Sequence, residues 1–127
     1  IDESKIFFLD FLEYSSYIKV LQISSLHMYL TYPFVLSWSM LEAMSCGALV
    51  LASDTKPVTE VIKNNYNGLL VDFFDSNIIA KKITKVLKNK DKFNEIRLNA
   101  RKTIIDKYDL EKVCLPAHLN LIKKALK

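Results

Sequence analysis

Short, densely apolar runs alternate along this chain with segments whose apolar residues recur every three or four positions. "KIFFLDF" (5–11), "LHMYLTY" (26–32), "ALVLAS" (48–53) and "LLV" (69–71) are the dense runs, and they read as strands. "ALVLAS" has almost no polar position, the pattern of a strand covered on both faces. Between the runs, residues 15–24 predict a short helix begun by a serine cap, and residues 39–46 a second helix. "PVTEVIKN" (57–64) predicts a third, opened by Pro57. Gly47 stands where a helix end wants left-handed backbone, and "NYNG" (65–68) reads as a turn.

From Ser76 onward the pattern is helical, over 76–89, 91–108 and 110–127, with a kink expected near Pro116. Strands alternating with helices imply parallel pairing through crossovers. The expected class is therefore α/β: a parallel, Rossmann-like sheet of about four strands flanked by helices, with a helical C-terminal tail. A single domain is expected over 1–127, with a β/α core at 5–90 and C-terminal helices at 91–127.

Composition narrows the function classes. Half the residues are hydrophobic and a quarter charged, enough to bury a real core. No run of about 18 apolar residues appears, and the acidic start "IDESKIFF" is unlike a secretion signal, so a cytoplasmic location is expected. Residues 1–80 hold four Lys against nine acids, while residues 81–127 hold fourteen Lys or Arg against five. The basic end suits a solvated face, an acidic partner or peripheral contact with an anionic membrane at its inner face. Only two of the eighteen basic residues are Arg and no aromatic-interleaved basic motif occurs, which argues against nucleic acid.

Cys46 and Cys114 are far apart without metal-ligand spacing, and read as reduced packing thiols. His27 and His118 have no partner spaced to make a metal or catalytic pair. No metal or cofactor is expected.

Chemistry concentrates in "YPFVLSWSMLEAMSCG" (32–47). With only two glycines in the chain, Gly47 and Gly68, no glycine-rich phosphate loop can exist. A phosphate would have to be held by helix-start amides and serine hydroxyls, and Ser37, Ser39, Met40 and Leu41 are placed for that. Glu42 admits two readings from spacing alone. Ser39-x-x-Glu42 is a capping box, in which each residue satisfies the other's amide. A carboxylate one turn into a helix could equally accept the hydroxyl protons of a sugar ring.

The stretch from Tyr32 to Asp75, "YPFVLSWSMLEAMSCGALVLASDTKPVTEVIKNNYNGLLVDFFD", resembles the C-terminal, nucleotide-sugar-binding domain of retaining, group one glycosyltransferases of the two-domain B-type fold. The likeness lies in a proline-ended strand, an "LEAM-x-x-G" helix, a buried strand ending near Ser-Asp, a "P-x-x-E-V-I" helix and "N-G-L-L-V". It covers about residues 5–90 and is most specific over 30–72. The resemblance implies that Glu42 is the second glutamate of an E-x7-E motif and binds the ribose of a nucleoside diphosphate sugar. It sets the Met40 and Leu41 amides toward the diphosphate, and gives Glu60 a structural role.

Three departures accompany it. Phe34 stands where the first glutamate of the motif would be, and Val35, Leu36 and Ser37 replace "GFG", so that Ser37, Trp38 and Ser39 fill that space. Two β–α units with a basic Arg/Lys pair, and an acceptor domain, would precede Ile1. The resemblance thus implies the donor-binding part of a hexosyl-type transferase acting on a saccharide or lipid-linked acceptor, inactive by itself and dependent on a missing N-terminal domain. A nucleotide-sugar epimerase of the same fold and a non-catalytic α/β interaction domain remain alternatives. The missing units would also leave the 26–32 strand at an open edge, covered either by residues 5–11 sliding in or by a second copy in a homodimer.

Overall fold

The structure is a computed structural model and describes residues 2–32 and 34–126; Pro33, expected to end the first strand of the motif, lies outside them. Three parallel strands, β1 (His27–Tyr29), β2 (Val50–Ser53) and β3 (Leu69–Val71), form one sheet in the order β1-β2-β3. His27 pairs with Val50, and Leu51 with Leu69. Helices α1 (Tyr14–Ile23), α2 (Trp38–Ser45), α3 (Lys56–Thr59), α4 (Ser76–Lys88), α5 (Asn94–Tyr108) and α6 (Leu115–Ala125) complete the chain. The α/β class, the parallel pairing and the helical C-terminal part are as the sequence implies.

β2 shows why its sequence is apolar throughout. Val50 and Ala52 pack on one side with Met40, Ala43 and Met44 of α2 and Ala100 and Ile104 of α5. Leu49 and Leu51 pack on the other with Leu69, Val71 and Val86 of α4. Consecutive residues on a strand point to opposite faces, so a central strand between two helix layers needs an apolar residue at every position. Leu49, Val50, Leu51 and Ala52 are all buried.

Among the described residues the strand expected at 5–11 does not form. After a short 3-10 turn at Glu3–Lys5, residues 6–10 form no regular structure, and Phe7, Phe8 and Phe11 are 78%, 90% and 94% exposed. Apolar, β-prone composition does not make a strand without a neighbour to pair with. The outer edge of β1 has no partner strand among the described residues, so residues 5–11 do not slide in to cover it.

Helix boundaries shift for local reasons. α1 begins at Tyr14 with Glu13 at its cap and no side-chain cap bond, so the expected serine cap is not formed. α3 is only four residues long, with Pro57 in its first turn and Glu60 after its end. The expected helix over 110–127 is split: a π turn at Leu110–Cys114 precedes α6, and Pro116 falls in the first turn of α6, where its missing N–H is harmless. Cys46 ends α2 and Gly47 follows with φ +76, the left-handed position that glycine fills without steric strain. Among the described residues no helix is long and apolar enough to cross a membrane, and α6 buries none of its residues.

Candidate functional site at the start of helix α2

One serine and one tyrosine side chain tie down the segments beyond the C-terminal end of the sheet. The Ser53 hydroxyl, buried at the end of β2, accepts from the Thr31 N–H at 2.8 Å. The Tyr29 hydroxyl accepts from the Ser37 N–H at 2.9 Å. The exposed stretch Phe34–Val35 between these anchors is thereby brought back onto the sheet at Ser37, where α2 begins.

Ser37, not Ser39, caps the helix. Its backbone is extended, and its Oγ accepts from the Ser39 N–H at 3.3 Å and lies 3.0 Å from the Ser39 Oγ. The Met40 N–H donates to the Ser37 carbonyl at 3.3 Å. A cap at Ser37 puts Met40, not Glu42, at the third helical position, so the expected capping box does not form.

Glu42 instead turns toward α1. Its Oε1 accepts from the Tyr14 hydroxyl at 3.2 Å, and Tyr17 packs beside Tyr14 with ring centroids 6.2 Å apart. The negative charge of Glu42 raises the Tyr14 phenol above its ordinary value, with partial desolvation adding to it. Burial raises Tyr17 first, and Glu42 adds to that. Burial also raises the Cys46 thiol, against the opposing pull of the Arg101 charge. Arg101 donates to the Ser45 carbonyl, at the other end of α2.

A raised phenol favours the neutral, proton-holding form in the folded state. Its contribution is complete below the unfolded value of about 10 and is lost as pH rises through the folded value. Alkaline absorbance titration is expected to show two late-ionising tyrosines, of which one disappears in Tyr14→Phe and both shift down in Glu42→Gln. An identical curve for Glu42→Gln would refute the contact.

The expected site residues thus divide in two. Ser37, Trp38 and Ser39 gather at the helix start, with Trp38 81% exposed, and Glu42 lies on the next turn. Met40 is fully buried, so only its backbone could face a ligand, and Leu41 is packed partly against the core. Phe34 is exposed. Glu60 is exposed beside α3 and makes no side-chain hydrogen bond among the described residues. Tyr14, Tyr17 and Tyr29 were not singled out by sequence; the one hint is the "EYSSY" spacing, which puts the first two on one face of α1. No group of three or more metal-ligating side chains occurs among the described residues.

Comparison with known proteins gives this geometry a family. Residues 3–103 match the family described as "Glycosyl transferases group 1". The poly(ribitol-phosphate) alpha-N-acetylglucosaminyltransferase of Staphylococcus aureus is 37% identical over 84 residues, covering 65% of this chain and 17% of that protein. Sucrose-phosphate synthase from Thermosynechococcus elongatus superposes with a TM-score of 0.84 at 21% identity, over 98% of this chain and 31% of that one. Anabaena HepE in complex with UDP-glucose gives a TM-score of 0.75 at 21% identity, over 83% of this chain and 29% of that one. The chain spans less than a third of the length of the curated relatives it matches. The B-type fold of these neighbours accounts for the parallel sheet and its helical C-terminal part, and the family match runs from the first turn to residue 103 within α5: the chain belongs to the group 1 glycosyltransferases.

Proposed function

We propose that the chain holds the nucleoside diphosphate of a sugar donor against the start of α2, as the donor-side part of a retaining transferase that moves a hexosyl group to a saccharide or lipid-linked acceptor. The observation that carries this reading is Glu42. It is a half-buried carboxylate one turn inside a helix, released from capping by Ser37 and accepting at Oε1 from the largely exposed Tyr14 phenol, with Tyr17 close beside it. Its remaining acceptor capacity suits two vicinal ribose hydroxyls, since an ionised carboxylate only accepts and each hydroxyl can donate. A diphosphate would lie at the helix start, where the dipole favours negative charge and the Ser37–Ser39 hydroxyl pair has one O–H left to donate, the Ser37, Ser39 and Met40 amides being already engaged within the protein. The complex of HepE with UDP-glucose makes a uridine diphosphate sugar the first donor to test.

In such a site this chain's residues bind and orient the donor and hold developing charge on the departing diphosphate. Phe34 supplies no acid toward the sugar.

Trp38 is the only tryptophan and stands exposed at the helix start, a built-in reporter. Its emission is expected to change saturably on titration with one of UDP, GDP or ADP, and calorimetry is expected to give the same dissociation constant. No response to any of the three in either measurement would overturn the reading.

A further inference from the structure

A second cleft opens beyond the C-terminal ends of the strands, separate in its lining from the start of α2. It has a volume of about 290 Å³ and is walled by Tyr32, Asp54, Thr55, Asp72, Phe73 and Phe74. These residues follow β1, β2 and β3, and that end of a parallel sheet is where ligands enter. The walls are held in place by backbone: the Asp54 N–H donates to the Val71 carbonyl at 2.7 Å, and the Phe74 N–H to Asp72 Oδ1 at 2.8 Å.

Three rings meet edge-to-face, Tyr32 with Phe74 at 5.6 Å, Tyr32 with Phe73 at 6.2 Å and Phe73 with Phe74 at 5.0 Å. Packing on one another does not bury them. Phe74 stays 75% exposed and Tyr32 62% exposed, so broad aromatic surface faces the opening. Two exposed carboxylates, Asp54 and Asp72, flank it, and the Thr55 Oγ1 is buried without a hydrogen-bond partner.

The geometry points to this cleft as a subsite for a neutral saccharide ring, distinct from the donor site. A sugar has an apolar face of polarised C–H groups, which suits the negative face of an aromatic ring, and a rim of hydroxyls that donate to carboxylates. The Thr55 hydroxyl is buried and unpartnered, and a turn of its side chain toward the opening would supply one more donor or acceptor. Charge excludes the donor itself: the lining carries two carboxylates and no Lys or Arg, so a diphosphate would be repelled. A cleft of this size, half aromatic in its lining and with a few convergent polar groups, takes a single ring-sized ligand.

The subsite is independent of the reading of Glu42 and is tested separately. Saturation-transfer NMR on the 127-residue chain, with maltotriose, cellotriose and chitotriose at millimolar concentration as probes, is expected to give a saturable signal for at least one. Phe74→Ala is expected to weaken it about tenfold or more, and Asp54→Asn to weaken it measurably, while saturating UDP leaves it unchanged. Phe74 is exposed, so its loss leaves the core intact, as circular dichroism would show. Silence from all three probes overturns the assignment. So does a signal indifferent to both substitutions, or one displaced by UDP, which would place the sugar at the start of α2.

Discussion

Asn67→Ala is expected to destabilise the fold by about 2–4 kcal/mol, measured by urea unfolding, more than any surface substitution in the chain. Asn67 is 2% exposed and sits in the loop that returns the chain from α3 to β3. Its Oδ1 accepts from the Lys63 N–H at 2.7 Å, and its Nδ2 donates to the Val61 carbonyl and to the Thr103 Oγ1, each at 3.0 Å. One side chain therefore closes the loop on itself and fastens it to α5. Alanine would leave the buried Val61 carbonyl without this partner, which is the expensive way to lose a hydrogen bond, and the Lys63 N–H, beside an exposed side chain, without its own. Thr103 would suffer least, because its hydroxyl still donates to the Asn99 carbonyl at 2.7 Å. Asn67→Asp is expected to be no rescue, since a carboxylate would set an acceptor against the Val61 carbonyl. A loss below about 0.5 kcal/mol for Asn67→Ala would show that the loop is held by the apolar packing of Val61 and Ile62 instead.

That network also marks the limit of reading this chain as a string. "NYNG" announces a turn, and the turn is there, with Asn65 at φ +60 taking the left-handed position that asparagine tolerates. Nothing in the four letters says that Asn67, not Asn65, would be buried and bridge to a helix 36 residues away. β2 and β3 were legible because two-sided burial writes itself into every position of a short strand. Residues 5–11 carry equally apolar letters, but strand formation is a property of a pair, and the sheet offers them no partner.

The start of α2 divides the same way. Two serines two residues apart are both competent caps, and the Tyr29 hydroxyl that receives the Ser37 amide lies eight residues upstream. Spacing alone allows a cap at Ser39 and with it a capping box for Glu42. The pairing of Glu42 with Tyr14 spans 28 residues, a separation at which local periodicity carries no signal.

Glu42→Gln is expected to weaken nucleotide binding by about 1.5–3 kcal/mol, roughly ten- to hundredfold in dissociation constant, while changing unfolding stability by less than about 1 kcal/mol. Glutamine keeps the length and one acceptor oxygen, so the Tyr14 hydroxyl can still donate, and the helix loses no cap because Ser37 provides it. What glutamine removes is the charge and the second acceptor oxygen, the two properties that a pair of ribose hydroxyls would use. Tyr14→Phe separates the remaining possibilities. If Tyr14 is a neighbour that a ligand displaces, removing its hydroxyl leaves nucleotide affinity equal or slightly higher, since the carboxylate no longer has to give up a partner. If Glu42 serves only to fasten α1 to α2, Tyr14→Phe reduces stability while Glu42→Gln largely keeps it, and calorimetry with UDP finds the same affinity in each as in the parent chain. That second pattern would end the ribose assignment and leave the helix start, with its serines and Trp38, to bind a diphosphate without help from Glu42.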